Sequence, residues 1–158
     1  MANASNETIL APFTAFNFAV EITKEDGADR LCSGAFAECD GLEMNIEIKT
    51  IREGGNNGKQ IRLPGPTTYG QITLKRGMTQ NFDLWEWFRE TAEKPQLRAT
   101  AEVVLLAPDG TTERARFILT RCLPIKLKGP VMNAKDGVVA VEELQLAYES
   151  LTLKRPTP

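Results

Sequence analysis

Apolar side chains in this chain recur at every second residue, in short runs separated by turn residues. Met44, Ile46 and Ile48 alternate with Glu43, Asn45, Glu47 and Lys49. Ile72 and Leu74 alternate with Gln71, Thr73 and Lys75, while Phe16, Phe18, Val20 and Ile22 alternate with Asn17, Ala19 and Glu21. Successive side chains of a strand point to opposite faces, so this period of two predicts strands with one buried and one wet face. The runs at 98–107 and 112–121 predict two more, with Ala115, Phe117 and Leu119 inward and Pro108-Asp109-Gly110 as the hairpin turn between them. A strand over 33–40 ends at Asp40-Gly41, which reads as a tight turn into the strand at 43–49.

Two regions break the pattern. Residues 53–68 hold Gly54, Gly55, Gly58 and then Leu63-Pro64-Gly65-Pro66, which predicts a long loop. Residues 81–94 predict a helix. Asn81 is a good N-cap, Asp83 suits the positive end of the dipole, and Pro95 stops the element. Phe82, Trp85, Phe88 and Ala92 share one helical face, widened by Leu84 and Trp87. Segment 138–151 stays open. Leu144, Leu146 and Tyr148 alternate as in a strand, whereas Val141, Leu144, Tyr148 and Leu151 also follow a helical period. Many strands and one helix predict a mainly-β α+β domain: two packed antiparallel sheets in a sandwich or small barrel, with one flanking helix. Residues 1–158 read as one such domain, with a polar arm at 1–11 and a tail at 152–158.

Composition narrows function. The chain has 158 residues, enough for one domain that buries about 70% of its unfolded surface. Lys plus Arg is 19 and Asp plus Glu is 21, a balance of -2 that argues against a dedicated nucleic-acid binder. No histidine is present, which removes His-dependent triads and His-ligated zinc. Cys32, Cys39 and Cys122 form no Cys-x-x-Cys pair and suggest reduced thiols. The first residues carry neither a basic nor an apolar signal-peptide segment, and no apolar run approaches the ~20 residues that span a bilayer. The expected setting is a cytoplasm, with no membrane insertion.

Candidate chemistry is sparse. Gly54 to Gly58 lack both phosphate-loop spacings and read as a mobile loop. The carboxylate pairs Glu142/Glu143 and Glu38/Asp40 stand apart from other catalytic types and read as solvated strand edges. Lys75-Arg76 and Arg114 with Arg116 read as solvated faces or subunit salt bridges. Trp85 and Trp87 read as core or interface. The expectation is therefore no catalytic residue, no cofactor and no metal. An arm, a long loop and exposed sheet edges instead suggest surfaces that await partners.

A series of blocks then points to one family. Phe36-Ala-Glu-Cys-Asp-Gly-Leu42 is similar to F-x-E-V-x-G-L, and Ile51-Arg-Glu-Gly-Gly55 to Y-R-E-G-G. Leu63-Pro-Gly65 and Ile72-Thr-Leu-Lys-Arg-Gly77 follow, then a helix with Leu84 and Trp85. Pro124, Lys126 and Gly129-Pro130 precede Ala140-Val-Glu-Glu-Leu144 and Tyr148-Glu149. In this order, over residues 13–152, the chain resembles the inner tail-tube proteins of contractile phage tails and related injection systems. It departs at Ile51, where an aromatic is usual, and at Arg121-Cys-Leu123.

The resemblance implies a non-catalytic subunit whose six copies form a ring, with rings stacking into a tube inside a contractile sheath. It implies that 138–149 is a strand. The expected partners are further copies, the sheath, baseplate, spike and tube-initiator proteins, and DNA or effector protein in the lumen. Glu43, Asn45, Glu47, Lys49, Gln71, Thr73 and Lys75 would line that lumen. Arg52, Glu53, Gly54, Gly55, Leu63, Pro64 and Arg76 would touch neighbouring subunits. The alternatives are a baseplate tube-initiator or cargo-loading paralogue, a small β-barrel for single-stranded nucleic acid, and a flavin-binding split barrel.

Overall fold

The computed structural model describes residues 10–27, 30–34, 36–55 and 58–156, the side chains of 33 and 34 excepted. The predicted arm at 1–11 therefore lies almost wholly outside the described residues. Ten strands and one helix follow in order: β1 (Phe18–Lys24), β2 (Arg30–Gly34), β3 (Glu38–Asp40), β4 (Met44–Arg52), β5 (Gln60–Tyr69), β6 (Gln71–Gly77), α1 (Asp83–Glu93), β7 (Ala99–Leu106), β8 (Glu113–Lys128), β9 (Val141–Ala147) and β10 (Ser150–Lys154).

Eight strands form one antiparallel sheet in the order β2-β1-β7-β8-β9-β6-β3, with β10 also on β8. The long strand β8 belongs to two layers. Its first half pairs with β7 and β10, and its second half pairs with β9. The chain turns this corner at Arg121, a non-glycine residue at φ 51. Left-handed backbone is costly for such a residue, and two carboxylates hold it there. The Arg121 amide N–H donates to Glu25 Oε1 at 3.2 Å, and Nε donates to Glu149 Oε2 at 3.0 Å. Arg121 is also where the sequence leaves the tail-tube pattern.

The two layers close over a common core but not into a barrel. Val20, Ile22, Ala101 and Leu119 come from the first layer, Ile72, Leu74, Leu144 and Leu146 from the second, and Leu84 and Trp87 from α1. Inward residues alternate along β6 and β9, as the period of two predicts. Of the two readings of 138–151 the strand holds from Val141 on, split into β9 and β10 by a bend at Tyr148-Glu149, while residues 138–140 lie outside any strand. The turn at Pro108-Asp109-Gly110 also forms. Gly110 sits at φ 75, and Asp109 Oδ1 accepts the Thr111 and Thr112 amide N–H groups, each at 2.9 Å.

Several expectations need correction. The strand at 33–40 is interrupted and becomes β2 and β3, which pair with different neighbours. The tight hairpin turn expected at Asp40-Gly41 does not form, because β3 pairs with β6 and β4 pairs with β5. Gly41 has φ +104, and a Cβ there would lie 1.9 Å from the Gln71 carbonyl oxygen. Only glycine lets the chain leave the sheet at that point. The long loop expected at 53–68 is corrected from Gln60 on, since residues 60–69 are strand β5. Proline lacks a ladder donor and is tolerated on edge strands and at bulges; β5 pairs on one side only, with β4. The tail at 152–158 begins later than expected, because β10 runs to Lys154. On α1 the buried residues are Leu84, Trp87 and Thr91, while Phe82 is exposed. Asn81 does receive the Asp83 amide N–H on Oδ1 at 3.0 Å, although the N-cap position itself falls at Phe82.

Candidate functional site and assembly surfaces

The β4–β5 hairpin is a separate two-stranded sheet. Its root is fixed to the body. The Tyr148 hydroxyl lies 2.8 Å from the Gly41 carbonyl and accepts the Glu43 amide N–H at 3.1 Å. The Gly70 amide N–H donates to the Glu43 carbonyl at 3.1 Å, and the Tyr148 ring lies 5.9 Å from that of Tyr69. Tyr148 thus ties both strands of the hairpin to β9. Sequence reading placed Tyr148 in an alternating run, on a helical period and in the Tyr148-Glu149 block, and missed this tie.

Beyond the root, every residue of β4 is exposed. Met44, Ile46 and Ile48 were expected to face a core, yet they are 58%, 58% and 59% exposed. The register explains what they present. Met44 faces Tyr69, Ile46 faces Thr67 and Ile48 faces Pro64, so these six share one face. The register slips by one between Ile46 and Ile48, where a Cβ on Gly65 would sit 2.7 Å from the Glu47 carbonyl oxygen. The opposite face carries Asn45, Glu47 and Lys49 and then turns apolar, as Lys49 faces Leu63 and Ile51 faces Ile61. The hairpin is therefore apolar on one face near its root and on the other face near its tip.

The predicted lumen residues divide between two places. Glu43, Asn45, Glu47 and Lys49 lie at the root and on the polar face of the hairpin, with the Asn45 amide donating to Glu43 Oε1 at 2.8 Å. Gln71, Thr73 and Lys75 lie on the outward face of β6, alternating with the buried Ile72 and Leu74. Of the residues predicted to touch neighbours, Arg52, Glu53, Gly54 and Gly55 stand at the exposed hairpin tip, and Leu63 and Pro64 on exposed β5.

Arg76 is different, and its placement corrects the prediction. Its side chain is 8% exposed and its partner Glu142 is 1% exposed. Arg76 Nε donates to Glu142 Oε1 at 2.5 Å, one terminal nitrogen reaches Cys32 Sγ at 3.0 Å, and the other donates to the Asn81 carbonyl at 3.3 Å. Trp85 Nε1 donates to Glu142 Oε2 at 2.9 Å, and the guanidinium lies 5.6 Å from the Phe36 ring centre. This pair pins α1 and β2 to the β6–β9 ladder. The reading of Glu142/Glu143 as a solvated edge likewise fails for Glu142. Parity held the signal: Arg76 continues the inward phase of Ile72 and Leu74, and Glu142 that of Leu144 and Leu146.

The thiols do not form a reactive cluster. Burial pushes Cys122 up to about 12 and Cys39 up to about 11, and it also raises Cys32. A thiol needs its thiolate to act as a nucleophile. Among the described residues, no group of three or more His, Cys, Asp or Glu side chains is placed to hold a metal ion, and no helix is long and apolar enough to cross a membrane. The site this chain presents is a set of surfaces.

Comparison with known proteins fits that description. No curated protein matches the chain by sequence. Among solved structures, it is similar to a chain of the anti-feeding prophage baseplate, with a TM-score of 0.81, 21% identity, and coverage of 93% of this chain and 98% of that one. It is similar to a chain of the PVC sheath–tube complex of an extracellular contractile injection system, with a TM-score of 0.79, 20% identity, and coverage of 99% and 100%. Hcp1 from Flavobacterium johnsoniae is more distant, with a TM-score of 0.51, 12% identity, and coverage of 87% and 96%. These likenesses establish the fold. The family described as T4-like virus tail tube protein gp19 matches residues 14–152, and the chain belongs to that family of structural tube proteins.

Proposed function

We propose that this chain is the repeating subunit of the inner tube of a contractile tail or injection system. Six copies close into a ring, and rings stack into a hollow tube within a contractile sheath. Sheath shortening drives the tube through a target envelope, and DNA or protein cargo passes along the lumen. The subunit does no catalysis and needs no cofactor. It assembles in the bacterial cytoplasm onto baseplate, spike and initiator proteins.

The β4–β5 hairpin carries this reading. An isolated two-stranded hairpin is at best marginally stable in water, and this one exposes Met44, Ile46, Ile48, Ile51, Ile61 and Leu63. Nothing in its own protomer covers them among the described residues. Apolar patches on both faces call for cover on both sides, which a stacked ring supplies by seating the hairpin between neighbouring copies. Gln71, Thr73 and Lys75 then belong to the lumen wall, with the polar face of β4 beside it. Mixed charge there lets cargo slide without sticking.

Electron microscopy of the purified protein, with its mass from light scattering, tests the reading. The expected result is rings or stacked tubes with a central hole. The double variant Ile48→Asp/Leu63→Asp should remain a folded monomer. Normal tubes from that variant would sink the role given to the hairpin.

A further inference from the structure

The β4–β5 hairpin is a lever. β4 holds 9 residues, about 30 Å of extended chain. A swing of about 10° at the root carries the tip about 5 Å, beyond the ~4 Å over which apolar side chains touch. Docking through Ile48 or Leu63 therefore needs a fixed angle at the root.

Apolar packing does not fix that angle. Leu42 and Tyr69 pack against the core at the root, but hydrophobic contact is non-directional. Hydrogen bonds are directional. Among the described residues, the side-chain bonds from the body to this root all come from Tyr148. Its hydroxyl donates to the Gly41 carbonyl at 2.8 Å, accepts the Glu43 amide N–H at 3.1 Å and lies 3.0 Å from the Glu43 carbonyl. One hydroxyl thus spans the point where the chain leaves the sheet and the residue before β4. The Glu43 carbonyl also accepts the Gly70 amide N–H, which brings in the returning strand. Tyr148 itself is buried, with its ring beside Tyr69.

Tyr148 sits at the bend between β9 and β10, and that bend is anchored from its other side. The Glu149 amide N–H donates to the Thr120 carbonyl at 3.0 Å, and Glu149 Oε2 accepts Arg121 Nε at 3.0 Å. Arg121 is the left-handed residue at the corner of β8. A costly backbone state kept at one position raises the question of what it holds, and here it holds the residue next to Tyr148. A glycine would turn the same corner without steric cost, but it would leave the Glu149 carboxylate without that partner.

We infer that Tyr148 is a positioning residue for assembly, resting on the tube reading above: its hydroxyl sets the angle at which the hairpin leaves the body, and the Arg121–Glu149 pair holds Tyr148 in place to do so. The latch forms within one protomer. It orders the hairpin before a neighbour arrives and so lowers the ordering cost of docking.

Amide hydrogen exchange at single-amide resolution, on protomer diluted below ring formation, tests the latch, and tube formation tests its use. Tyr148→Phe keeps the ring and removes the hydroxyl. The Glu43 amide should then exchange about three- to tenfold faster, with Gly70 following, while amides of the β7–β8 ladder keep their protection. The same variant should need about tenfold more protein to form tubes. Arg121→Gly should speed Glu43 exchange in the same direction and by less. Unchanged exchange at Glu43 in Tyr148→Phe, or a rise spread evenly over the whole molecule, overturns the latch. A loosened root with normal tube formation overturns its role in assembly. Unchanged Glu43 exchange in Arg121→Gly removes the corner from the proposal. If the unaltered protein forms no tubes, the tube reading fails, and exchange at Glu43 still decides the latch.

Discussion

Two antiparallel hairpins, β4–β5 and β7–β8, come from similar patterns and meet different ends. In the β7–β8 pair, Ala99, Ala101, Val103 and Leu119 are buried against α1 and the second layer. In the β4–β5 pair, Met44, Ile46 and Ile48 stand in the open. Both alternate apolar and polar residues, and both form ladders. The difference lies in what the apolar face meets. The first hairpin finds its cover in its own chain. The second has only its root fixed, by Tyr148 and Gly70. Alternation therefore reports that a face wants cover, and says nothing about which molecule provides it.

The contrast can be broken most severely at the buried ion pair that holds the covered part together. Arg76→Met leaves Glu142 without its cation in a dry site and should cost about 3–5 kcal/mol, measured by chemical denaturation. Adding Glu142→Leu should recover much of that loss, because the stranded charge is gone. A double variant no more stable than the single would show that the pair is not the cause.

A pair of matched truncations sharpens the comparison further. Leu119→Ala removes a fully buried side chain and should cost about 2–5 kcal/mol. Ile48→Ala removes a comparable side chain from the open hairpin and should shift protomer stability by less than about 0.5 kcal/mol. Equal losses at both positions would mean that the hairpin is covered within its own protomer.

The smallest effect sits in the β7–β8 turn. The Thr112 hydroxyl, followed by the Thr112 and Thr111 amide N–H groups, holds the Asp109 carboxyl down to about 2. A depressed carboxylate contributes stability above its unfolded pKa and loses it as pH falls through the folded one. That window runs from about pH 4 in the unfolded chain to about 2. Asp109→Asn should lower Tm slightly at neutral pH, and the gap to the unaltered protein should narrow across the window. A gap that does not change with pH would remove the charge from the account.

Much of this fold is legible in the residues. Strands β1, β6, β7 and the first half of β8 follow the period of two, and α1 follows its apolar face and Pro95, whereas the second half of β8 was not read and the period left β9 open between strand and helix. The tail-tube family is legible from ordered blocks such as Leu63-Pro-Gly65 and Ile72-Thr-Leu-Lys-Arg-Gly77. Other features were not. Leu63-Pro64-Gly65-Pro66 reads as loop, yet it forms strand β5, because a strand paired on one side spares its prolines the missing donor. Arg76 reads as a surface cation because charge is expected in water, and its inward parity was the weaker of two conflicting signals.

Local chemistry thus determined where this chain extends, where it coils into its one helix, and which face of each strand is apolar, since these depend on neighbours a few residues away. Tertiary structure decided the rest. It bent β8 at Arg121, buried Arg76 against Glu142, and released β4–β5 from the sheet at Gly41. Each of these depends on residues far apart in sequence meeting in space, and a period of two carries no information about such meetings.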